Sequence, residues 1–115
     1  KPEQPNAVKL ESFIFDALPL AKHTMVLEGS RKDHFAPTKN ATGVDSAESC
    51  RQMLCARDAE RLELAGKKVP RKTDGTPDCI VEISPATVCD NDDAVKILSG
   101  EKYKAPEKGS EAYYE

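Results

Sequence analysis

The stretch from Asp45 to Gly66, "DSAESCRQMLCARDAERLELAG", constrains this chain more than any other. Asp45 stands as a helix N-cap with Glu48 three residues later, a capping-box pattern that satisfies the first orphaned N–H groups. Ala47, Cys50, Leu54, Cys55, Ala59, Leu62 and Ala65 then fall on one half of the helix. Arg51, Gln52, Arg57, Asp58 and Glu60 fall mostly on the other. Gly66 is a natural C′ terminator, with Lys67 and Lys68 beside the carbonyl end. A helix with an apolar half must bury it, so the chain has to supply or find a partner surface.

The rest of the chain supplies little. Of 115 residues, 38% are hydrophobic, 5% aromatic and 32% charged, with no Trp. The length predicts one domain, and so thin a core suggests part of something larger. A net charge of −3 with no basic stripe argues against a nucleic-acid partner. No apolar run approaches the roughly 20 residues of a membrane span, and no signal-peptide pattern is read at the start, so the chain reads as soluble. "KPEQPN" is linker-like, and "SGEKYKAPEKGSEAYYE" is a polar tail with scattered Tyr.

Coarse elements follow from periodicity. Residues 6–18, "NAVKLESFIFDAL", predict a helix with Leu10, Phe13, Ile14, Ala17 and Leu18 on one stripe and Asn6 as N-cap, ended by Pro19. Lys9 would then sit in the first turn, where a cation opposes the macrodipole unless both meet an anion. Phe15 lies off the stripe and needs its own cover. "KHTMVLE" (22–28) reads as a strand entering a core, halted at Gly29. The loop that follows carries Arg31, Lys32, His34 and Lys39, with Phe35 and Pro37 placed to pin it. A pinned loop holds its lysine still and lowers the entropic cost of gripping a phosphate. Beyond the long helix, Asp74-Gly75 marks a turn, "CIVEI" (79–83) a strand, and 91–100 a short helix or strand.

Other chemistry is thinly represented. The cysteines 50, 55, 79 and 89 are separated by 4, 23 and 9 residues, unlike the repeated close pairs of a zinc site. Cys50 and Cys55 lie about 140° apart around a helix, so the four read as small buried thiols of a reducing cytosol. His23 and His34 lack a second metal ligand at useful spacing. The Asn40-Ala41-Thr42 sequon is inert in that setting.

Taken in order, Lys9, Glu11, Phe13, Phe15 and Asp16, then Arg31, Phe35, Ala36, Pro37, Lys39 and Asn40, then Glu82, Ile83, Ser84 and Pro85 match separated motifs. Over about residues 8–86 the chain resembles the carboxy-terminal portion of the UDP-N-acetylhexosamine pyrophosphorylases and related UDP-sugar pyrophosphorylases. The resemblance implies an α/β fold: the last part of a Rossmann-like nucleotidyltransferase domain (helix–strand–loop–helix–strand) over residues 1–86, with 87–115 beginning a carboxy-terminal extension. It implies a cytoplasmic uridylyltransferase that joins UTP to a sugar 1-phosphate and releases pyrophosphate, in company with an upstream remainder of the same protein.

In such enzymes the lysine matching Lys9 contacts the nucleotide's phosphates, and the one matching Lys39 those of the sugar nucleotide. The phenylalanines matching Phe13 and Phe15 lie near the sugar pocket, and Arg31 and Asn40 join them as substrate-binding candidates. Mg²⁺ is expected, liganded outside this segment, as is the glycine-rich nucleotide loop, so the isolated 115 residues are expected to be inactive. "RKDHF" and "APTKN" depart from the family's acid-rich "REDEF"-like and "SPLKN" forms, leaving N-acetylglucosamine 1-phosphate and glucose 1-phosphate both open. The other class of reading is a non-catalytic interaction or regulatory domain that keeps the scaffold and binds a partner through the 47–65 helix face.

Overall fold

The computed structural model describes residues 3–115, so Lys1 and Pro2 of the linker-like start lie outside the described residues. Its anchor is α2, Ala47–Leu64. The N-cap is Ser46, one residue later than the Asp45 expected from sequence: Ser46 Oγ accepts the Ser49 N–H at 3.2 Å, and Ser49 Oγ accepts the Ser46 N–H at 2.9 Å. Asp45 instead adopts φ +58 just outside the helix. The far end matches the sequence reading. Gly66 sits at φ +80, its N–H reaching Glu63 O, and the Lys67 N–H reaches Leu62 O, the paired bonds of a Schellman ending.

Two further elements pack on the second half of α2. Strand β1, Ile80–Ile83, pairs in parallel with β2, Glu111–Tyr114, in the register Ile80↔Glu111 through Ile83↔Tyr114. Between them runs α3, Asn91–Leu98, whose N-cap Asp90 accepts the Asp93 N–H at 2.8 Å. Ala59, Leu62 and Ala65 of α2, Val81 and Ile83 of β1, Ala94 and Leu98 of α3, and Tyr114 of β2 form one buried cluster. The polar tail of the sequence reading thus contributes a strand, and the 91–100 stretch its expected short helix, to the same core as residues 47–83. Lys67 tightens the assembly by donating to Ser99 O and Gly100 O at the carboxyl end of α3. The Asp74-Gly75 turn forms as expected, with Gly75 at φ +84 and Asp74 accepting from both the Thr76 N–H and its hydroxyl.

The amino-terminal third differs from its sequence reading. No α-helix spans 6–18; residues 7–13 are irregular and a 3₁₀ helix covers Ile14–Leu20, with Pro19 inside it. Residues 22–28 form no strand. Leu10 is 91% exposed, Phe13 63%, Phe15 69% and Val26 91%, so the predicted apolar stripe has no surface to bury against. An isolated helix of this length is marginal without such a surface, and a lone strand has no ladder to join. The radius of gyration, 19.6 Å, exceeds the about 13 Å of a compact domain this long for the same reason.

The architecture is therefore mixed α/β with a small two-stranded parallel sheet. The thiols are less uniformly buried than expected: Cys79 is buried, Cys50 and Cys55 are half-buried, and Cys89 is exposed.

Candidate functional site

The basic loop ahead of α2 is held at three levels. A single helical turn, α1, covers Arg31–His34. Lys32 Nζ from this turn grips both carboxylate oxygens of Glu60 on α2 at 2.6 Å. That hydrogen bond, more than the charge alone, raises the Lys32 ammonium above its ordinary value. The Arg31 guanidinium stacks 4.0 Å above the Phe35 ring. Phe35, 44% exposed, is therefore a stacking platform and a partial anchor, not the buried plug its residue type suggests. A hollow of about 200 Å³ remains beside it, lined by Lys32, Phe35, Met53, Leu54 and Arg57 among others.

Beyond Pro37 the chain closes on itself. The Lys39 and Asn40 N–H groups both donate to Asp45 O, at 2.6 and 2.9 Å. Asn40 Nδ2 donates to Val44 O at 2.7 Å, and Ser46 Oγ donates to Gly43 O at 2.7 Å. Asn40 and Ser46 form a parallel bridge, and Ser46, 1% exposed, is the cap of α2. The segment 39–46 is thus a closed loop rooted in the cap of the most regular element of the fold. The Lys39 main chain is fixed there, while its side chain is exposed and has no hydrogen-bond or ion-pair partner among the described residues.

The other sequence candidates are placed differently. Lys9 is exposed and pairs with Glu11 two residues on. It lies in irregular chain, so the helix-terminus anion site expected for it is absent from the described residues. Phe13 and Phe15 are exposed at the start of the 3₁₀ segment. Arg31, Lys39 and Asn40, by contrast, belong to one docked loop.

Sequence reading missed Lys32, Asp45 and Ser46 as the parts that hold this loop. Ser46 carried a signal, because Ser caps as well as Asp does and Ser49 stands three residues on. Asp45 at positive φ had a weaker one, since Asp tolerates the left-handed region better than most residues. Asp58 was assigned to the polar face, yet it is 1% exposed. Its place three residues after Cys55 and four before Leu62 puts it in the buried stripe.

The described residues thus form a mixed α/β chain with a basic loop anchored at the start of α2. Similarity to known proteins makes the kinship specific. The chain is 32% identical to UDP-N-acetylhexosamine pyrophosphorylase-like protein 1 of Homo sapiens, over 92% of this chain and 24% of that protein. It is 41% identical to the probable UDP-N-acetylglucosamine pyrophosphorylase of Caenorhabditis elegans, over 60% of this chain and 15% of that protein. With UDP-N-acetylglucosamine diphosphorylase 2 of Arabidopsis thaliana it shares 34% identity, over 86% of this chain and 20% of that protein. Over most of its length the chain is thus similar to UDP-N-acetylhexosamine and UDP-N-acetylglucosamine pyrophosphorylases. It spans only 15% to 24% of the length of these curated relatives. No family model matches it, and no solved structure does.

Proposed function

We propose that this chain is the carboxy-terminal part of a UTP-dependent sugar-1-phosphate uridylyltransferase and that its contribution is a phosphate-binding loop centred on Lys39. The observation that carries the reading is the closed loop 39–46, which fixes the Lys39 main chain to the α2 cap and leaves its ammonium free. The kinship with UDP-N-acetylglucosamine pyrophosphorylases supports N-acetylglucosamine as the sugar, with glucose 1-phosphate as the competing substrate.

In the reaction a sugar-phosphate oxygen attacks the α-phosphorus of UTP in line and pyrophosphate leaves. Little covalent work falls to the protein; cations must neutralise charge on the equatorial and leaving oxygens. Lys39 would hold a phosphate oxygen from a position set before the substrate arrives, Arg31 would add a second cation from the same loop, and Asn40 would close the 39–46 loop behind Lys39. Lys9 would join once its segment is docked on the rest of the protein, which is also what would cover Phe13 and Phe15. Mg²⁺ is assigned to residues outside this chain. Among the described residues no three His, Cys, Asp or Glu side chains cluster as metal ligands. The four free thiols favour a reducing, cytoplasmic setting, and no helix among the described residues is long and apolar enough to cross a membrane.

The test is Lys39→Ala in the full-length protein, with UDP-N-acetylglucosamine formation from UTP and N-acetylglucosamine 1-phosphate as readout. A lysine–phosphate contact of about 2 kcal/mol predicts a fall in kcat/KM of roughly 30-fold. Unchanged kinetics would remove Lys39 from the mechanism. The 115-residue chain alone is expected to turn over no UTP, and measurable turnover would overturn its assignment as a partial enzyme.

A second reading is a non-catalytic interaction domain. The Lys9–Glu11 pairing favours it, because that ammonium already has a partner. A full-length protein that binds neither UTP nor UDP-sugar in calorimetry would select this reading.

A further inference from the structure

We infer that Asn40 and Asp45 are positioning residues for Lys39, acting through the loop backbone and not by touching substrate; this rests on the phosphate-binding reading of Lys39. Three bonds converge on two consecutive carbonyls: Lys39 N–H and Asn40 N–H on Asp45 O, and Asn40 Nδ2 on Val44 O. Asp45 can present its carbonyl back toward Lys39 because its backbone sits at φ +58, a left-handed conformation that disfavours most side chains. That conformation is held from both sides. Gly43, at φ +77, turns the chain ahead of it, and its carbonyl accepts the Ser46 hydroxyl behind it. Ser46 is itself buried, and its N–H, hydroxyl and carbonyl all bond to Ser49. One N–H of the Asn40 side-chain amide is thus committed inside the loop, which makes the side chain a support for the backbone beside Lys39.

The consequence is energetic coupling between Asn40 and Lys39. If Asn40 works only by holding Lys39, its replacement matters only while Lys39 is present. The experiment is a double-mutant cycle in the full-length enzyme with UTP and N-acetylglucosamine 1-phosphate. Asn40→Asp removes the amide donor at nearly constant size. It is expected to lower kcat/KM about tenfold alone and less than about twofold in the Lys39→Ala background. Equal effects in both backgrounds, with Lys39→Ala itself impaired, would overturn the inference and leave the reading of Lys39 standing. An unimpaired Lys39→Ala would sink both.

A backbone pair checks the same idea should Asn40→Asp fail to fold. Asp45→Val, β-branched at positive φ, is expected to lower kcat/KM to a similar degree. Asp45→Gly, which accepts that φ and keeps the carbonyl, is expected to rescue the loss. A glycine variant as poor as the valine variant would mean that the aspartate side chain, not the loop backbone, carries the role.

Discussion

Asp58 on α2 accepts the main-chain N–H of Ile83 on β1 at 2.9 Å, a carboxylate sealing the free edge of a strand from inside the core. In the parallel pair, Ile80 and Ser84 donate to β2 at Ser110 O and Tyr114 O. The N–H groups of Val81 and Ile83 therefore face α2, where Cys55 Sγ and Asp58 Oδ2 receive them at 3.5 and 2.9 Å. Helix α2 thus acts as a substitute for a third strand. The buried charge is balanced by Arg57, at 2.9 Å, and Arg61, at 3.8 Å.

Removing this carboxylate leaves the buried Ile83 N–H and the Arg57 guanidinium without their acceptor, and Arg61 without its counter-ion. Asp58→Ala is expected to destabilise the 47–115 core by about 2–4 kcal/mol, and Asp58→Asn, which keeps one acceptor, by less. Denaturant unfolding followed by far-UV circular dichroism measures it. An alanine variant as stable as the parent would show that the bond to Ile83 contributes nothing net.

How much of this was legible beforehand depends on where each element finds its partners. The α2 helix, its Gly66 stop and the Asp74-Gly75 turn were readable because their determinants lie within a few residues of one another: a cap, a helical period, a backbone that needs positive φ. Strand β1 was readable from its β-branched run. Strand β2 was not, because Glu111–Tyr114 is short and its ladder partner lies far upstream at Ile80–Ile83. Residues 6–28 failed in the opposite sense. Their periodicity was real, but an amphipathic stripe forms a helix only where a surface receives it, and Leu10, Phe13 and Ile14 have none here. Within the site, Lys39 and Asn40 were picked out by their motif. The left-handed Asp45 that organises them comes from closure of the loop onto Lys39 and Asn40, for which the residue type alone was a weak signal.

The Lys32–Glu60 pair should act on the loop and not on the fold as a whole. Both side chains are largely exposed, 60% and 44%, and exposed pairs contribute little net stability. Lys32→Met is expected to leave the melting temperature of the core within a degree or two. It should also speed amide exchange at Asp33, His34 and Phe35, whose N–H groups close the α1 turn. The raised ammonium fixes the sign with pH: the latch is fully present below the ordinary lysine value of 10.5 and is lost as pH rises through the higher folded value. Exchange unaltered by the substitution would show that α1 is held by other contacts.

The thiols should differ in reactivity. Burial pushes the Cys79 thiol up, with the nearby Cys55 thiol adding to the effect, while Cys89 is exposed. Iodoacetamide at mildly alkaline pH should therefore label Cys89 first and Cys79 only on unfolding, as read by peptide mass spectrometry. The same raised value means that stability from the neutral Cys79 thiol is intact below the ordinary value of 9.0 and falls as pH rises through the folded one. Labelling of Cys79 at the rate of Cys89 in the folded chain would contradict the packing of α2 on β1.

Tyr114 decides whether the end of the chain belongs to the core. Its ring is 7% exposed and lies 6.4 Å from the Tyr103 ring at an interplanar angle of 36°. Its hydroxyl donates to Lys104 O at 3.0 Å, fastening the segment between α3 and β2 onto the strand. Tyr114→Phe removes only that bond and is expected to cost about 1 kcal/mol, whereas Tyr114→Ala opens a cavity and should cost about 3–5 kcal/mol. Burial raises the phenol above its ordinary value of 10.0, so the neutral ring stabilises the fold below that value and the contribution is lost as pH climbs through the folded one. A Tyr114→Phe variant should therefore resist alkaline unfolding better than the parent, relative to their stabilities at pH 7. Thermal melts at pH 7 and pH 10.5 provide the comparison. Identical alkaline sensitivity in both proteins would place the titration elsewhere and leave Tyr114 as packing alone.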